Sequence, residues 1–278
     1  MSETINVSNK SKDKLKEMSF VEHLDELRKY LFRSIVGVLV FAIVAFFFKD
    51  VIFETVIFGP RDSNFITNRL LCELSKAINV GSLCINQNKF NIINIELAGQ
   101  FKAHILISFI AGLMVGFPYV ISQLWAFVKP ALKTYEIKKS RGIVFVVSIL
   151  FTIGVLFGYF IIVPLTINFL GSYSISSEIT NQISFNSYIS TITTISLSTG
   201  LVFELPVLVY FLSKIGLLTP KVMKKRRKHA IVIAFILSGI ITPPDVFSQF
   251  LVALPLIGLY EFSISISKRV DKKRVIIL

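Results

Sequence analysis

The sequence predicts an all-α integral membrane protein with six transmembrane helices and both termini in the cytoplasm. Hydrophobic residues make up 53% of the 278 residues and charged residues only 17%, whereas soluble domains average about 25% charged residues. The mean hydropathy is +0.70. The apolar residues also fall in blocks, most of them close to the roughly 20 residues that a membrane span needs. Basic residues are concentrated in every second polar segment between these blocks.

The positions of the 30 lysines and arginines predict the orientation of the chain. Along the sequence, the polar segments hold seven in residues 1–33, six in 49–102, five in 128–141, none in 166–188, seven in 213–229, none in 242–247 and five in 268–278. Cytoplasmic segments are enriched in basic residues, so this alternation places both termini inside. The net charge of +13 is then explained by topology. We expect the lipid bilayer, and no nucleic acid, as a partner.

The six apolar blocks are interpreted as one membrane domain, residues 1–278. The predicted spans cover about residues 30–48, 101–127, 142–165, 189–213, 230–243 and 246–265. A polar tail, residues 1–18, precedes them, and a long outer loop, residues 49–100, joins the first two. The tail has no apolar region of the kind found in cleavable signal peptides, so the first block is predicted to be a retained helix.

Prolines mark the predicted ends and breaks of these helices. An interfacial helix at the start of the outer loop is expected to end before Pro60. Pro118 is expected to interrupt the second span, Pro164 to end the third, and Pro206 lies within the fourth. Pro243 and Pro244 separate the last two spans, where Asp245 is expected to cap the sixth.

The fifth and sixth spans are predicted to be short. The apolar part of the fifth covers only residues 230–242, which is about 20 Å of helix against a hydrocarbon core of about 30 Å. Such a hairpin should thin the bilayer locally. Two GxxxG patterns, Gly112 to Gly116 and Gly154 to Gly158, favour close helix packing within the chain.

No catalytic motif, metal-ligand cluster or nucleotide-binding loop is visible, so the sequence predicts neither an enzyme nor a cofactor. The two cysteines, Cys72 and Cys84, both lie in the outer loop. They would suit a disulfide in an oxidising compartment. The alternative is a pair of free, partly buried thiols.

Two acidic positions stand out. In "FVEHLDELRKYLFRS", residues 20–34, helical spacing places Glu22, Asp25 and Glu26 on one face ahead of the first span. These carboxylates would suit a cation arriving from outside the chain. Glu204 lies about 15 Å from the inner end of the fourth span, where an unpaired charge costs several kcal/mol. It is either neutral and hydrogen-bonded to a carbonyl freed near Pro206, or it serves as a polar contact for a partner helix or as a proton-responsive group.

Five motifs in this order resemble those of the TatC family, the multi-spanning subunit of the twin-arginine protein translocase. They are "HLDELRKYL", "QLWAFVKPAL" followed by Glu136, "GYFIIVPL", "FELPV" and "TPPDVFSQ". Without the resemblance, Glu136 between Lys133 and Lys139 would be interpreted as an ordinary solvated residue.

The resemblance implies a receptor for signal peptides that carry two consecutive arginines. Glu26 and Glu136 would bind the guanidinium groups from the cytoplasmic side, Leu27 and Phe127 would form an apolar neighbourhood, and Arg28 would orient the site. A planar guanidinium binds a carboxylate with two parallel hydrogen bonds, which an ammonium group cannot do.

The resemblance further implies a concave, glove-like bundle whose inner wall is shaped by Pro118, Tyr159, Pro164 and Pro206. There Glu204 would meet single-span partners of the TatA and TatB type. It also implies self-association in a larger complex, transport of folded cargo driven by the proton-motive force, and a bacterial inner membrane or an organellar one. Two alternatives that do not depend on the resemblance are a small-molecule secondary transporter and a structural membrane scaffold.

Overall fold

The computed structural model describes residues 20–77, 91–131, 142–176, 181–242 and 246–275. Several predicted features lie outside these residues: the tail 1–18, Cys84, Glu136, Pro243, Pro244 and Asp245.

The protein is a multi-pass helical membrane protein. In chain order its helices are α1 (Phe20–Phe47), α2 (Ile66–Ala77), α3 (Gly99–Val128), α4 (Ile143–Phe157), α5 (Val163–Ser172), α6 (Phe185–Val202), α7 (Leu205–Lys214), α8 (Pro220–Lys225), α9 (Arg227–Ile241) and α10 (Val246–Val275). Within the described residues, five helical stretches are long and apolar enough to cross a membrane: Leu24–Phe47, Gly99–Val128, Ile143–Ser172, Phe185–Lys214 and Ser248–Lys272. The short α9 completes the predicted six.

The first two spans pack closely along α1 and α3. A Cβ atom placed on Gly112 of α3 would lie 2.5 Å from the backbone nitrogen of Ala42 in α1. One placed on Gly116 would lie 3.0 Å from the ring of Phe41. The absence of a side chain therefore lets the two helices approach at this level.

The second GxxxG pattern serves the same purpose between α4 and α6. A Cβ atom on Gly154 would lie 2.7 Å from Cβ of Phe203 and 2.8 Å from the carbonyl oxygen of Thr199. The turn after α4 likewise brings Gly158 against Thr199. Both patterns thus pack helices within the chain, as predicted.

Two predicted helix breaks are wrong. α3 continues through Pro118 without interruption, because proline removes only one backbone hydrogen bond and the rest of a long apolar helix can hold together around it. The third span does not end at Pro164. A π-helical turn at Gly158–Ile162 leads into α5, where Pro164 occupies the first turn, a position that needs no donor from its nitrogen.

The fourth span does break, at the residues that precede Pro206. α6 ends at Val202 and α7 starts at Leu205, with Glu204 as the residue before its first turn. Pro206 is buried in that first turn. The break therefore places an acidic residue at a helix junction inside the membrane.

The outer loop is more regular than its sequence suggests. It begins with a π-helical segment at Val51–Ile57, which ends before Pro60 as expected, and a 3₁₀ turn at Gly59–Arg61 follows. α2 follows, and β1 (Asn91–Ile93) pairs in parallel with β2 (Gln182–Ser184), with Asn91 opposite Gln182. Neither α2 nor the two short strands was predicted.

Side chains of the third and fourth spans hold this loop. The hydroxyl of Tyr159 donates to the carbonyl oxygen of Val56 at 2.6 Å, and that of Tyr188 donates to Ile57 at 2.9 Å. In the opposite direction, the hydroxyl of Thr67 in α2 donates to the carbonyl of Phe160. The loop is therefore fixed to the bundle as a cap.

The last two helices differ in length. α9 has 15 residues, about 22 Å of helix, so the fifth span is short as predicted. α10 has 30 residues and continues well past Ser265, where the sixth span was expected to end. The added turns carry Lys268, Arg269 and Lys272, which favour helix and reach easily into water.

Candidate functional site

The first motif lies on the cytoplasmic extension of the first span. α1 starts at Phe20 and runs without a break into the membrane, so Glu26 and Leu27 sit about one turn before the apolar part. Both are half-buried, whereas Asp25 and Arg28 on the same turn are exposed. The side chain of Glu26 is therefore partly enclosed, while that of Asp25 is exposed.

The end of α3 forms the neighbouring wall. The ring of Phe127 lies edge-on to that of Tyr30, with 6.3 Å between ring centroids and 61° between planes. Tyr30 lies one helical turn beyond Glu26 and Leu27 on α1, so Phe127 packs against α1 about one turn from these two residues. The guanidinium carbon of Arg33 lies 5.9 Å from the centroid of Tyr30.

One carboxylate oxygen of Glu26 has no hydrogen-bond donor in the described part of this neighbourhood. Its Oε2 atom is buried and meets no hydrogen-bond donor among the described residues. Lys29, one turn along α1, is exposed and forms no ion pair with it in the described part of the chain. A buried polar atom without a partner costs about 1–3 kcal/mol, more when charged. The arrangement is therefore suited to receive a donor from elsewhere.

Glu204 is a second carboxylate without a partner. Both of its oxygens are buried, and neither is hydrogen-bonded to any of the described residues. The predicted alternative of a bond to a carbonyl freed near Pro206 is therefore wrong. Leu201 and Leu208, on the turns before and after, are 54% and 55% exposed, so the lipid-facing surface around Glu204 is open.

The remaining predicted residues have structural surroundings. Tyr159 holds the outer loop through Val56 and also packs edge-on against Phe65 at 5.6 Å. Pro60 is buried, and its carbonyl oxygen accepts a bond from Asn68 at 3.2 Å. Cys72 lies half-buried on α2. Its pairing with Cys84 stays a prediction because Cys84 lies outside the described residues.

The sequence did not point to Tyr30 as part of the site. Its ring contacts Phe127 at the end of α3 and lies beside Arg33 of its own helix. The available signal was an aromatic residue at the point where the motif meets the apolar block. In the residues that the structure describes, no group of three or more His, Cys, Asp or Glu side chains could hold a metal ion.

Comparison with known proteins identifies the family. A family model described as Sec-independent protein translocase protein (TatC) matches residues 22–255. This match covers most of the chain and includes all five sequence motifs.

Proteins named Sec-independent protein translocase protein TatC are similar over nearly the whole chain. The protein from Blattabacterium sp. subsp. Periplaneta americana is 42% identical over 265 residues, which is 95% of this chain and 100% of the relative. That from Helicobacter pylori is 37% identical, covering 90% and 87%. That from Aquifex aeolicus is 32% identical, covering 92% and 98%.

Two solved structures, both described as Twin Arginine Translocase Receptor- TatC, have a similar fold. One has a TM-score of 0.67 at 31% identity and covers 90% of this chain and 99% of its own. The other, crystallised in DDM, has a TM-score of 0.71 at 32% identity and covers 88% and 99%. These matches favour a protein translocase component over a small-molecule transporter or an enzyme. The chain therefore belongs to the TatC family of Sec-independent protein translocase proteins.

Proposed function

We propose that this chain is the receptor subunit of a twin-arginine translocase in a bacterial inner membrane. It would bind signal peptides with two consecutive arginines at the cytoplasmic face, recruit single-span partners of the TatA and TatB type, and support export of folded proteins driven by the proton-motive force. The observation that carries the proposal is the buried Oε2 atom of Glu26, which has no donor within the described residues. The description of the two similar structures as receptors supports it.

The chemistry of Glu26 favours arginine as the guest. A guanidinium group is planar and donates two parallel hydrogen bonds to one carboxylate, while an ammonium group binds as a point charge. Filling the open acceptor with a charged donor adds about 1.5–3 kcal/mol. An apolar wall beside the carboxylate, formed by Leu27 and Phe127, would shield this pair from water and would suit the hydrophobic part of a signal peptide.

Two further residues complete the proposed receptor site. Glu136, in the segment that follows α3, would bind the second arginine from the same side of the membrane. Arg28 is exposed next to Glu26. It would repel a misplaced cation and keep the approach of the peptide to one side of α1.

The test is a binding assay with the full chain in lipid nanodiscs and matched synthetic signal peptides carrying Arg-Arg or Lys-Lys. We expect Glu26→Gln to weaken Arg-Arg binding about ten- to a hundredfold, since one charge-assisted pair is lost. The Glu26→Gln/Glu136→Gln double variant should bind Arg-Arg and Lys-Lys peptides equally poorly. Asp25→Asn is the matched control, because it removes the same charge from an exposed neighbour.

The outcome that contradicts the proposal is undiminished Arg-Arg binding by the double variant. An equal loss in the Asp25→Asn control would also contradict it, because peptide capture would then depend on general negative charge and not on the site. A change in membrane insertion of any variant is checked by protease accessibility of the outer loop.

The same proposal gives Glu204 the role of contact for a partner helix. Both oxygens are buried without a hydrogen-bond partner among the described residues, and the flanking Leu201 and Leu208 are exposed. A polar side chain from a single-span partner would satisfy the carboxyl group inside the membrane. Site-specific crosslinking from position 208 to a TatA or TatB partner should decrease in Glu204→Leu and persist in Glu204→Gln. Equal crosslinking in both variants would contradict this role.

A further inference from the structure

The cytoplasmic end of the last two spans carries a basic groove that the proposed function does not use. It has a volume of about 600 Å³ and lies between α8 and the end of α10. Its lining residues are Thr219, Pro220, Lys221, Lys224, Lys268, Asp271 and Lys272. Four lysines face one aspartate, so the lining has a formal charge of +3.

The two central lysines come from different helices and face each other. Lys224 lies on α8 and Lys268 on α10. The positive charge of Lys268, followed by direct contact with its side chain, lowers the pKa of the Lys224 ammonium group below its ordinary value. An anion between them would relieve this repulsion.

The groove is held in shape by bonds that do not involve its own lysines. The hydroxyl of Tyr260 donates to the carbonyl oxygen of Met223 at 2.8 Å, which joins α10 to α8. Arg227 pairs with Glu261 at 2.6 Å. The hydroxyl of Ser213 donates to that of Ser267 at 2.8 Å. The lysines are therefore brought together by a fixed scaffold and not by mutual attraction.

The surroundings of the groove place it at the membrane surface. It lies at the inner end of the sixth span, where the helix continues past its apolar residues to Lys268, Arg269 and Lys272. Three apolar side chains on the adjoining segment are exposed: Ile215 at 64%, Leu217 at 70% and Val222 at 47%. Apolar residues next to lysines are typical of a surface that contacts acyl chains and headgroups together.

We propose that this groove binds the phosphate group of an anionic phospholipid from the cytoplasmic leaflet. Lys224 and Lys268 would hold the phosphate from two sides, Lys221 and Lys272 would add charge at the rim, and the exposed apolar residues would lie along the acyl chains. The fifth span, which is short, would then have an ordered lipid at its inner end. The ligand is a lipid and not a soluble anion because of the apolar residues beside the lysines.

The test measures lipid binding to the purified full chain in a neutral detergent micelle by native mass spectrometry. Dioleoyl-phosphatidylglycerol and dioleoyl-phosphatidylcholine serve as probes with identical acyl chains. We expect a preference for phosphatidylglycerol that falls about fivefold for each groove lysine replaced, the contribution of one basic residue at an anionic surface. The Lys224→Gln/Lys268→Gln variant should therefore bind about 25-fold more weakly.

The matched control is Lys225→Gln/Lys228→Gln, which removes two exposed charges from the same segment outside the groove lining. Its affinity should stay within about twofold of the unmodified chain, since charges that do not touch the headgroup are screened. Equal loss in both variants, or no preference for phosphatidylglycerol in the unmodified chain, would overturn the proposal.

Two further experiments distinguish a bound lipid from a soluble anion or an acidic protein segment. If inorganic phosphate alone displaces the bound lipid, the groove is a site for a soluble anion and the proposal fails. A photoreactive residue at position 222 in native membranes should crosslink to lipid. Capture of an acidic protein segment there instead would show that the groove is a protein interface. Glu26 is not part of the groove, so the Lys224→Gln/Lys268→Gln and Lys225→Gln/Lys228→Gln variants should bind the Arg-Arg peptide as the unmodified chain does. This keeps the test of the groove separate from the test of the receptor site.

Discussion

Tyr159 and Tyr188 on the outer side of the bundle and Glu26 on the cytoplasmic side differ in whether their polar atoms have hydrogen-bond partners among the described residues. On the outer side, Tyr159 and Tyr188 donate hydrogen bonds to the carbonyl oxygens of Val56 and Ile57, which fixes the loop between the first two spans. On the cytoplasmic side, Glu26 keeps a buried oxygen without a donor among the described residues. These two hydroxyl groups of the cap thus stabilise the fold, while the carboxylate of Glu26 on α1 keeps an oxygen unpaired within the described residues, as the proposed receptor role requires.

The largest effect is expected from a change in the packing of α1 on α3. Gly112→Ala would place a methyl group against the backbone of Ala42, and overpacking of this kind costs about 1–3 kcal/mol. We expect a lower thermal unfolding temperature in detergent together with weaker Arg-Arg peptide binding. Gly258→Ala is the control, because a Cβ atom there meets nothing within 4 Å and should be neutral or slightly stabilising.

A buried donor in the cap gives the next largest effect. The amide of Asn68, 1% exposed, donates to the carbonyl oxygens of Pro60 at 3.2 Å and Asp62 at 2.7 Å. Asn68→Ala should lower stability by about 1–3 kcal/mol and leave peptide affinity unchanged. Asn181 also donates to two carbonyls but is exposed, so Asn181→Ala should have little effect. A loss of peptide binding in Asn68→Ala would contradict the separation of the two sides.

The tyrosines of the cap sharpen the comparison further. Tyr188→Phe removes one hydroxyl that is hydrogen-bonded in a buried position, so we expect a loss of about 0.5–1.5 kcal/mol. Tyr159→Phe should cost less, because that side chain is only half-buried. Chemical unfolding of both variants checks the order. An equal or reversed order would mean that burial does not decide the value of these bonds.

The smallest effect is expected from the acceptor without a partner. Glu26→Gln should leave the unfolding temperature unchanged or slightly higher, because it removes the cost of a charged oxygen that no described residue satisfies. The same variant should bind the Arg-Arg peptide about ten- to a hundredfold more weakly. A clear drop in unfolding temperature would show that Glu26 stabilises the fold and would weaken its assignment to the receptor site.

Hydropathy predicted the spans well because it averages over about 20 residues, and one exceptional residue barely alters the sum. Single-residue rules were less successful. Pro118 and Pro164 were expected to interrupt or end helices, yet one lies inside α3 and the other starts α5. Within a membrane bundle, the neighbouring helices decide whether one lost hydrogen bond breaks the chain.

The outer loop and the open acceptor mark the limits of sequence reasoning. α2 has leucines at positions 70, 71 and 74, a helical spacing that was hidden by the surrounding polar residues. The paired strands have three residues each and depend on a partner 91 positions away. For Glu26, the sequence placed Lys29 one turn along the helix, and only the coordinates show that the two do not pair.

The hydroxyl bonds of the cap also impose an order on biosynthesis. The donor and acceptor of the Tyr188 bond are 131 positions apart, and those of the Tyr159 bond 103. At a ribosomal rate of roughly 5–20 residues per second, the stretch between Ile57 and Tyr188 takes about 7–26 s to make. During that interval the outer loop has already crossed the membrane, but Tyr188, which donates the hydrogen bond to Ile57, has not been translated. The loop can therefore be fixed to the bundle only after this delay.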